Sequence, residues 1–410
     1  MNILFISTNY PYPPDSGHNL RTFYTLKYLA QTNRIYYVAF KKRHQDLPQS
    51  DPIKEMCETI DIFVAPDDFS RLRMSFSLMR NLSSDYPYVA DKYYIEQVER
   101  RIREVLYKNR IDIVHLDLLP LTRYLNNFRG IPVALTEHNV ESARLLSLIK
   151  QSKNILFKMY MYIQYRKLSS FEREEMGKCE ICIAVSENDK EVLSKLSPDT
   201  EITVIPNGVD VEYFSPKNGE QIPRSAIWVG GMKDFYNRQA VNYFCEEIFE
   251  KIKREVQDVR VTMVGKSPTK KVLELAKQNK GVRCIGYAED VRPYISEAMI
   301  FIAPVLSGGG TKLKVLNALA MGKAVVTTSV GAEGIDVTNG ENIVIADNPD
   351  EFARRSVELL KNPEKTERIG KKARELIIEK YDWEKIGKRY SAIYEELVDK
   401  YTRRNHSETK

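Results

Sequence analysis

The stretch SGGGTKLKVLNALAMGKAVVTTSVGAEG, residues 307–334, decides the fold of this chain. An apolar segment at 300–303 precedes its three consecutive glycines, and a helical pattern begins at about Thr311. In an open parallel sheet, ligands bind beyond the carboxyl ends of the strands, where loops lead into helices. Unpaired N–H groups and the helix dipole favour a phosphate there, and Lys312 and Lys314 add positive charge. The stretch therefore predicts a phosphate-binding loop after a buried strand.

Neither familiar glycine-rich motif fits this loop. A P-loop needs Gly-Lys-Ser/Thr in that order, and Thr311-Lys312 inverts it. A dinucleotide fingerprint follows the first strand of its unit, whereas Gly308, Gly309 and Gly310 follow a late one. A diphosphate held without a magnesium-binding loop remains, because glycine lets the backbone approach a ligand closely. A loop whose glycines serve packing alone is the alternative.

Composition sets wide bounds on fold and function. The chain has 410 residues, enough for two or three domains, with ordinary hydrophobic (43%) and charged (29%) fractions for a soluble protein. The net charge of +6 is compatible with an anionic ligand or membrane surface but not with a dedicated nucleic-acid binder. The opening MNILFISTNY reads as a buried strand instead of a signal peptide, and no run reaches the length of a spanning helix. We therefore expect a cytoplasmic protein.

Five cysteines also suggest a reducing compartment instead of a disulfide framework. Cys179 and Cys182 form a CxxC pair with no second pair or histidine pair nearby. We expect buried thiols on a strand, and a metal or redox site is the alternative.

Short apolar runs alternate with longer amphipathic segments from end to end, which predicts an α/β chain with parallel sheets. The predicted strands cover residues 3–7, 35–40, 60–65, 111–116, 133–136, 181–185, 202–205, 225–229, 260–264, 282–285, 300–303, 324–327 and 342–345. The segment IPNGVD at 205–210 supplies turn chemistry between two doubly wound halves. The predicted domains are 1–205, 206–383 and a C-terminal helix, 384–410, that returns to the first half and ends in a frayed tail.

Several segments, in order, resemble the retaining family-4 glycosyltransferases of GT-B architecture. They are YPYPPDSGHNLRTF, TEHNVES, VSENDKEVL, VIPNGVD, WVGGMKDFYNRQAVNYF, VGKSP and GTKLKVLNALAMGKAVVTTSVGAEG. The resemblance covers nearly the whole chain. It implies two Rossmann-like domains facing across a cleft, with the acceptor bound mainly by the first and the nucleotide sugar by the second.

The resemblance also implies roles for individual residues. His138 matches the active-site histidine that contacts the donor sugar near the reacting carbon. Gly17 matches the first-domain loop that approaches the phosphates and acceptor. Lys266 and Lys312 match basic residues directed at the diphosphate. The alternatives are a histidine that packs a strand end, a plain turn at Gly17, and solvated lysines.

The match is incomplete around the nucleotide. The family usually has two glutamates eight positions apart, and here their places fall on Gly309 and Asn317. Backbone amides could replace the first contact to the sugar, whereas Asn317 lacks the charge for the second contact, to the ribose. The loop after the strand 225–229 lacks the usual Arg/Lys pair, with Lys233 as a partial substitute. The implied donor-binding residues are Gly17, Gly308, Gly309, Gly310, Thr311 and Asn317.

The chemistry implied is sugar transfer with retained anomeric configuration. Amides of the loop, Lys266 and Lys312 would stabilise the departing diphosphate. No metal, no other cofactor and no protein nucleophile is implied, and Asp67, Asp68 and Asp290 read as solvated loop charges. The donor is a nucleotide sugar, and the acceptor is a sugar or a lipid-linked molecule in cell-surface polysaccharide or glycolipid assembly.

Two segments, 153–174 and 71–82, mix basic and apolar residues at helical spacing. They could lie on an anionic membrane at the inner face of the cell membrane, but for 153–174 packing on the domain core is the favoured interpretation. Two alternatives to a transferase remain. A sugar-nucleotide epimerase would need cleft carboxylates that the sequence does not offer, and a non-catalytic sugar-nucleotide-binding partner subunit is suggested only by Asn317.

Overall fold

The computed structural model describes residues 1–65, 70–152, 154–216, 221–308 and 310–408. The chain divides into two compact units. The first contains Met1–Pro206 and Ile386–Lys410, and the second contains Asn207–Lys385.

The first unit is built on a seven-stranded parallel sheet in the order β3-β2-β1-β4-β5-β6-β7. Its strands are β1 Asn2–Ser7, β2 Arg34–Lys41, β3 Thr59–Val64, β4 Ile113–Asp117, β5 Val133–Thr136, β6 Ile181–Ala184 and β7 Ile202–Val204. The inner strands are buried along their whole length, as expected of a parallel sheet covered on both faces. The strand order reverses between β1 and β4, which creates a topological switch point there.

Helices connect these strands: α1 Gly17–Leu29, α2 Ile53–Met56, α3 Arg71–Asn81, α4 Tyr88–Tyr93, α5 Glu96–Lys108, α6 Glu141–Gln151, α7 Ile155–Met176 and α8 Glu187–Leu196. A 3-10 segment, Leu119–Asn127, follows β4. Side-chain caps begin α1, α3, α7 and α8, where oxygens of Ser16, Ser70, Asn154 and Ser186 accept from backbone N–H groups of the first turn.

The second unit has a six-stranded parallel sheet in the order β10-β9-β8-β11-β12-β13. Its strands are β8 Ser225–Val229, β9 Arg260–Val264, β10 Val282–Gly286, β11 Ile300–Ala303, β12 Ala324–Thr327 and β13 Val344–Ile345. Successive residues of β8 and β11 enter different core clusters: Trp228 and Ile302 pack on one face, and Ile227 and Phe301 on the other. The switch point of this sheet lies between β8 and β11.

The helices of the second unit are α9 Phe235–Tyr243, α10 Phe249–Glu255, α11 Lys270–Gln278, α12 Arg292–Glu297, α13 Leu313–Ala320, α14 Ser329–Ala332, α15 Pro349–Lys361 and α16 Pro363–Lys380. A π turn, Phe244–Ile248, joins α9 to α10. The last helix, α17, covers Trp383–Glu408, and its part from Ile386 onward belongs to the first unit.

The predicted α/β fold with parallel sheets is confirmed, and every predicted strand is present. Some boundaries were wrong, and three of them have a clear physical reason. Helix α13 begins at Leu313 and not at Thr311, because the chain at Lys312 is still extended. Strand β13 is shorter than 342–345, because hydrogen bonds between Thr338 and Asn342 close a turn there. Helix α17 continues to Glu408, so the expected fraying at 403–408 is not observed.

Helix α17 is bonded into the first unit through its tyrosines. Arg21 of α1, only 1% exposed, donates to the carbonyl of Ile205 (2.8 Å) and to the hydroxyl of Tyr390 (2.7 Å). The hydroxyl of Tyr394 is hydrogen-bonded to Nδ1 of His115 on β4. A buried guanidinium needs such partners, since an unpaired buried charge is costly.

Candidate functional site

Three polar side chains converge at the switch point of the first sheet. His18 lies in the first turn of α1, Asp117 is the last residue of β4, and His138 follows the end of β5. Because neighbouring parallel strands end at one edge, the fold brings these residues together across 120 positions of sequence. Their ligating atoms lie within 4.8 Å of one another.

A buried carboxylate organises this cluster. Asp117 is 2% exposed, and its two oxygens accept from Nε2 of His138 (2.6 Å) and from the hydroxyl of Thr22 (2.5 Å). Burial alone would raise the pKa of Asp117, but the neighbouring histidines, His138 foremost, hold that pKa well below its ordinary value. The ionised carboxylate therefore holds a proton on Nε2 of His138 and orients the ring.

His18 lies beside His138, with ring centroids 4.4 Å apart and ring planes tilted by 30°. Burial, reinforced by His138, lowers the pKa of His18 to about 4, although Asp117 acts in the opposite direction. Its Nε2 atom is buried, lies 3.7 Å from a carboxylate oxygen of Asp117, and has no hydrogen-bond partner within the described chain. At neutral pH, His18 is thus an uncharged imidazole with an unused polar atom beside the catalytic candidate.

His18, Asp117 and His138 offer two imidazoles and one carboxylate, a set that suits a divalent transition metal. However, both oxygens of Asp117 already accept short hydrogen bonds, and a shared ion would have to replace the proton between Asp117 and His138. The donor set therefore fits the hydrogen-bonded network better than it fits a resident ion.

The glycine loop, residues 304–312, lies at the switch point of the second sheet between β11 and α13. Gly308 and Gly310 have φ angles of +109° and +71°, which side-chain-bearing residues rarely adopt. A Cβ on Gly308 would lie 3.4 Å from the ring of Tyr236 on α9. Gly309, also predicted to bind the donor, lies outside the described residues.

Lys312 holds this loop in shape. Its ammonium donates to the carbonyls of Gly308 (2.8 Å) and Gly310 (2.6 Å), and it lies 3.6 Å from the carboxylate of Glu333. The sequence had suggested a lysine directed at a ligand. In the structure, the ammonium of Lys312 lies at the loop, and its hydrogen bonds to the two carbonyls fix the conformation of the loop.

Two further predicted residues flank the start of α13. Thr311 is 9% exposed, and its hydroxyl is buried without a hydrogen-bond partner among the residues that the structure describes. Such an orphaned hydroxyl is unfavourable unless a ligand or water completes it. Asn317 lies half-buried one turn further along α13.

The remaining predicted residues are exposed. Lys266 follows β9 and is exposed, with its ammonium 4.3 Å from the centre of the Tyr287 ring. Gly17, in the first unit, is the exposed first residue of α1. Lys233, the suggested substitute for the missing basic pair, is exposed.

Several other predictions from the sequence can be compared with the structure. Cys179 and Cys182 are buried free thiols, as predicted, and burial raises the pKa of each well above its ordinary value. Asp290 is not a solvated charge, because it is half-buried and pairs with Arg292 at 2.8 Å. Asp67 and Asp68 lie outside the described residues.

A cavity of about 690 Å³ in the second unit lies at the other edge of the sheet, among residues such as Arg224, Met299 and Lys361. Arg224 and Met299 immediately precede β8 and β11, so this cavity borders the amino ends of the strands. Ligands of such sheets bind at the carboxyl ends, so the cavity carries no part of the site.

The first unit exposes apolar side chains on α3 and on the first half of α7. Phe76 is 63% exposed and Leu156 is 74% exposed, whereas Leu168 and Phe171, later in α7, are buried. Packing on the core, the favoured interpretation for 153–174, thus describes only the later half of α7. Within the described residues, no helix combines the length and the apolar composition needed to cross a membrane.

Comparisons with known proteins agree with this arrangement. Residues 63–213 match the family described as Glycosyltransferase Family 4, and residues 223–362 match Glycosyl transferases group 1. An uncharacterized 44.6 kDa protein in the cps region of Klebsiella pneumoniae is 23% identical over 96% of this chain and 99% of its own. The alpha-monoglucosyldiacylglycerol synthase of Acholeplasma laidlawii is 22% identical over 74% of this chain and 79% of its own.

Solved structures share the fold at low sequence identity. Sucrose-phosphate synthase from Thermosynechococcus elongatus superimposes with a TM-score of 0.69 at 16% identity, over 97% of this chain and 99% of that one. HepE of Anabaena, solved with UDP, superimposes with a TM-score of 0.64 at 12% identity, over 97% of this chain and 100% of that one. With two Rossmann-like units, each matched by a transferase family, the chain belongs to the glycosyltransferases of group 1 and family 4 and has the GT-B fold.

Proposed function

We propose that this glycosyltransferase moves a sugar from a nucleoside-diphosphate sugar to an acceptor hydroxyl with retention of anomeric configuration. The observation that carries the proposal is the glycine loop at the second switch point. Three features there supply hydrogen-bond donors suited to a diphosphate. They are the N–H groups at the start of α13, the loop backbone held by Lys312, and the unpaired hydroxyl of Thr311. The UDP in the related HepE structure supports a nucleotide as the donor's carrier.

In this proposal the second unit stabilises the leaving group. Departure of the diphosphate builds negative charge on its oxygens, and donors that are already oriented stabilise that charge at little reorganisation cost. Amides of the glycine loop and the charges of Lys312 and Lys266 act in this way, and Asn317 contacts the ribose. No metal ion is assigned a role.

The first unit provides His138. Its Nδ1 atom, the ring nitrogen not bonded to Asp117, can bind a sugar hydroxyl near the reacting carbon. Gly17, at the start of α1, leaves backbone room for phosphate or acceptor. The imidazole of His138 is bonded to the carboxylate of Asp117, which also contacts the hydroxyl of Thr22 and two further histidines. These contacts fix the tautomer and orientation of the imidazole, which supports catalysis over mere binding.

We further propose that the acceptor is a lipid-linked molecule or sugar of cell-surface polysaccharide or glycolipid assembly, met at an anionic membrane. Residues 142–171 contain six Lys and Arg and no Asp or Glu. In the same segment Ile155, Leu156 and Met159 are largely exposed. Apolar side chains in a basic segment without acidic residues suit a surface of anionic lipid headgroups.

We place the enzyme in the cytoplasm, at the inner face of the membrane. All five cysteines are free thiols, which supports a reducing compartment.

A two-stage experiment tests the proposed function. Thermal unfolding with UDP-, GDP- and dTDP-sugars identifies the donor, since a ligand that binds the folded state raises its apparent stability. Release of nucleotide from that donor, with anomeric analysis of the product by NMR, then establishes transfer and retention. A chain that binds a donor but never releases nucleotide would instead be a binding subunit, and interconversion of the donor sugar would indicate an epimerase.

A further inference from the structure

The ammonium of Lys314 occupies an unusual position at the second switch point. Lys314 is the second residue of α13, and its Nζ is hydrogen-bonded to Oδ1 of Asn237 on α9 and lies 5.1 Å from the ring centre of Trp228. The side-chain N–H of Asn237 donates to the carbonyl of Gly231 (3.0 Å), which fixes its oxygen toward the lysine. The ammonium is thereby held at the end of β8.

The backbone of the β8 turn makes room for this side chain. A Cβ on Gly230 would lie 2.9 Å from Nζ of Lys314 and 3.0 Å from the ring of Trp228. On its other side, Gly230 is packed against Gly265, whose own Cβ would meet the carbonyl oxygen of Gly230 at 1.7 Å. Glycine at position 230 therefore leaves space for the ammonium of Lys314 at the carboxyl end of β8.

Lys314 has no ion-pair partner among the carboxylates of the described chain. The nearby carboxylate of Asp234 caps α9, where it accepts from the N–H groups of Tyr236 (3.0 Å) and Asn237 (3.1 Å). Burial lowers the pKa of Lys314 to about 8, Asp234 opposes this change, and Lys312 adds to it. Burial removes water from the ammonium of Lys314, and among the described residues only the side-chain amide of Asn237 and the ring of Trp228 contact it in return. Such an ammonium is suited to an anionic ligand.

A second unsatisfied group lies at the same helix start. The hydroxyl of Thr311, three residues before Lys314, is buried and has no partner in the described structure. Lys233, in the loop after β8, is exposed. By contrast, the ammonium of Lys314 is held beside that loop by Asn237.

We infer that Lys314 is a diphosphate-binding residue that reaches the β8 turn from α13. The inference rests on the proposed nucleoside-diphosphate site. It further assigns Gly230 the role of keeping the path of Lys314 open and Asn237 the role of positioning its ammonium.

Isothermal titration of the wild type and variants tests this assignment. The probes are whichever of UDP, GDP and dTDP stabilises the wild type most, and its monophosphate. We expect Lys314→Met to weaken diphosphate binding about tenfold or more, the scale of one lost charged hydrogen bond, and monophosphate binding much less. Lys314→Arg should retain most of the affinity. The control Lys280→Met, on an exposed lysine that precedes β10 at the opposite edge of the sheet, should leave both affinities unchanged.

A backbone pair tests the same geometry without altering the lysine. Gly230→Ala should displace the ammonium and weaken diphosphate binding, whereas Gly231→Ala, where a Cβ meets nothing within 4 Å, should not. Wild-type diphosphate affinity should also fall as pH rises through about 8, because the ammonium loses its proton there, and Lys314→Met should not show this fall.

The possible outcomes separate the two proposals. If the wild type binds no nucleoside diphosphate, the proposed function fails and this assignment with it. If the wild type binds and Lys314→Met binds equally well, only the assignment fails. Equal loss of diphosphate and monophosphate affinity, with a lower Tm, would show that Lys314 merely joins α13 to α9.

Discussion

Nε2 of His138 donates to the carboxylate of Asp117 across 2.6 Å, in an environment from which water is almost entirely excluded. Neither residue is near the other in sequence, and their meeting depends on the adjacent positions of β4 and β5 in the first sheet. The carboxylate sets which nitrogen of His138 carries the proton and which one can face a substrate.

Asp117→Asn should therefore lower kcat by about a hundredfold or more, since an amide no longer fixes the imidazole's tautomer by charge. The KM for the donor should change little, because the nucleotide-binding groups belong to the second unit. Steady-state kinetics measure both. Thr22→Val, which removes only the hydroxyl bond to Asp117, is the control and should have a milder effect. An Asp117→Asn enzyme with near-normal kcat would contradict the assigned role.

Gly310→Ala should distort the glycine loop, because its φ of +71° costs an alanine about 1–2 kcal/mol. Gly340 is a matched control with a φ of +80° in open space, away from the loop. Both variants should lower Tm by similar amounts, but only Gly310→Ala should weaken nucleotide binding measured by titration. Equal affinities of the two variants would remove the loop from the donor site.

Flotation with vesicles that contain phosphatidylglycerol should recover the wild type at low salt and lose it at high salt, because screening weakens the attraction. Replacing Leu156 and Met159 by Ser should abolish flotation, and Lys158→Glu should weaken it. Tyr107→Ser is the control, since this exposed tyrosine on α5 lies outside the acid-free segment. Binding that survives the loss of Leu156 and Met159 would point to another surface.

The pH dependence of stability should reveal the buried carboxyl of Glu172 on α7, which accepts from Ser142. Burial raises the pKa of Glu172 from 4.5 to about 7, a rise that Ser142 reduces and Glu141 increases. The folded state thus holds a proton that the unfolded state releases, so this stabilisation is complete below pH 4.5 and is lost as pH rises toward 7. Glu172→Gln should flatten Tm between these pH values. A wild-type Tm unaffected by pH over that range would contradict the raised pKa.

Removal of metal ions by a chelator should not change the rate of sugar transfer, because in the proposed mechanism no metal ion stabilises the leaving diphosphate. The relevant measurement is nucleotide release after dialysis against EDTA, with and without added Mn²⁺ or Mg²⁺. A loss restored by metal, and absent in His18→Ala, would instead assign an ion to the cluster of His18, Asp117 and His138.

The strands and the glycine loop were predictable from local pattern, because buried parallel strands are apolar runs and turns need glycine. His138 and Lys312 were reached through motif resemblance. His18 and Asp117 were not singled out, although each stands at a strand end or helix start, because their proximity depends on strand order and not on sequence separation.

The role of Lys314 was equally hidden. Its charge was visible in the sequence, but only the packing of Gly230 and Gly265 shows why that side chain reaches the β8 turn. The first half of α7 was predicted to pack on the core, but it is exposed. The prediction failed because the same helical spacing of apolar residues occurs on a helix that packs on the core and on one that exposes its apolar face.

The bonds of Arg21 also constrain how the protein can be dissected. Its guanidinium donates to Ile205 and to Tyr390, which are separated by the whole of the second unit along the chain. An isolated fragment that ended at Pro206 would lack Tyr390, so the buried guanidinium of Arg21 would lose that hydrogen-bond partner. Autonomous folding of the first lobe would thus require the terminal helix to be supplied in trans or fused by circular permutation.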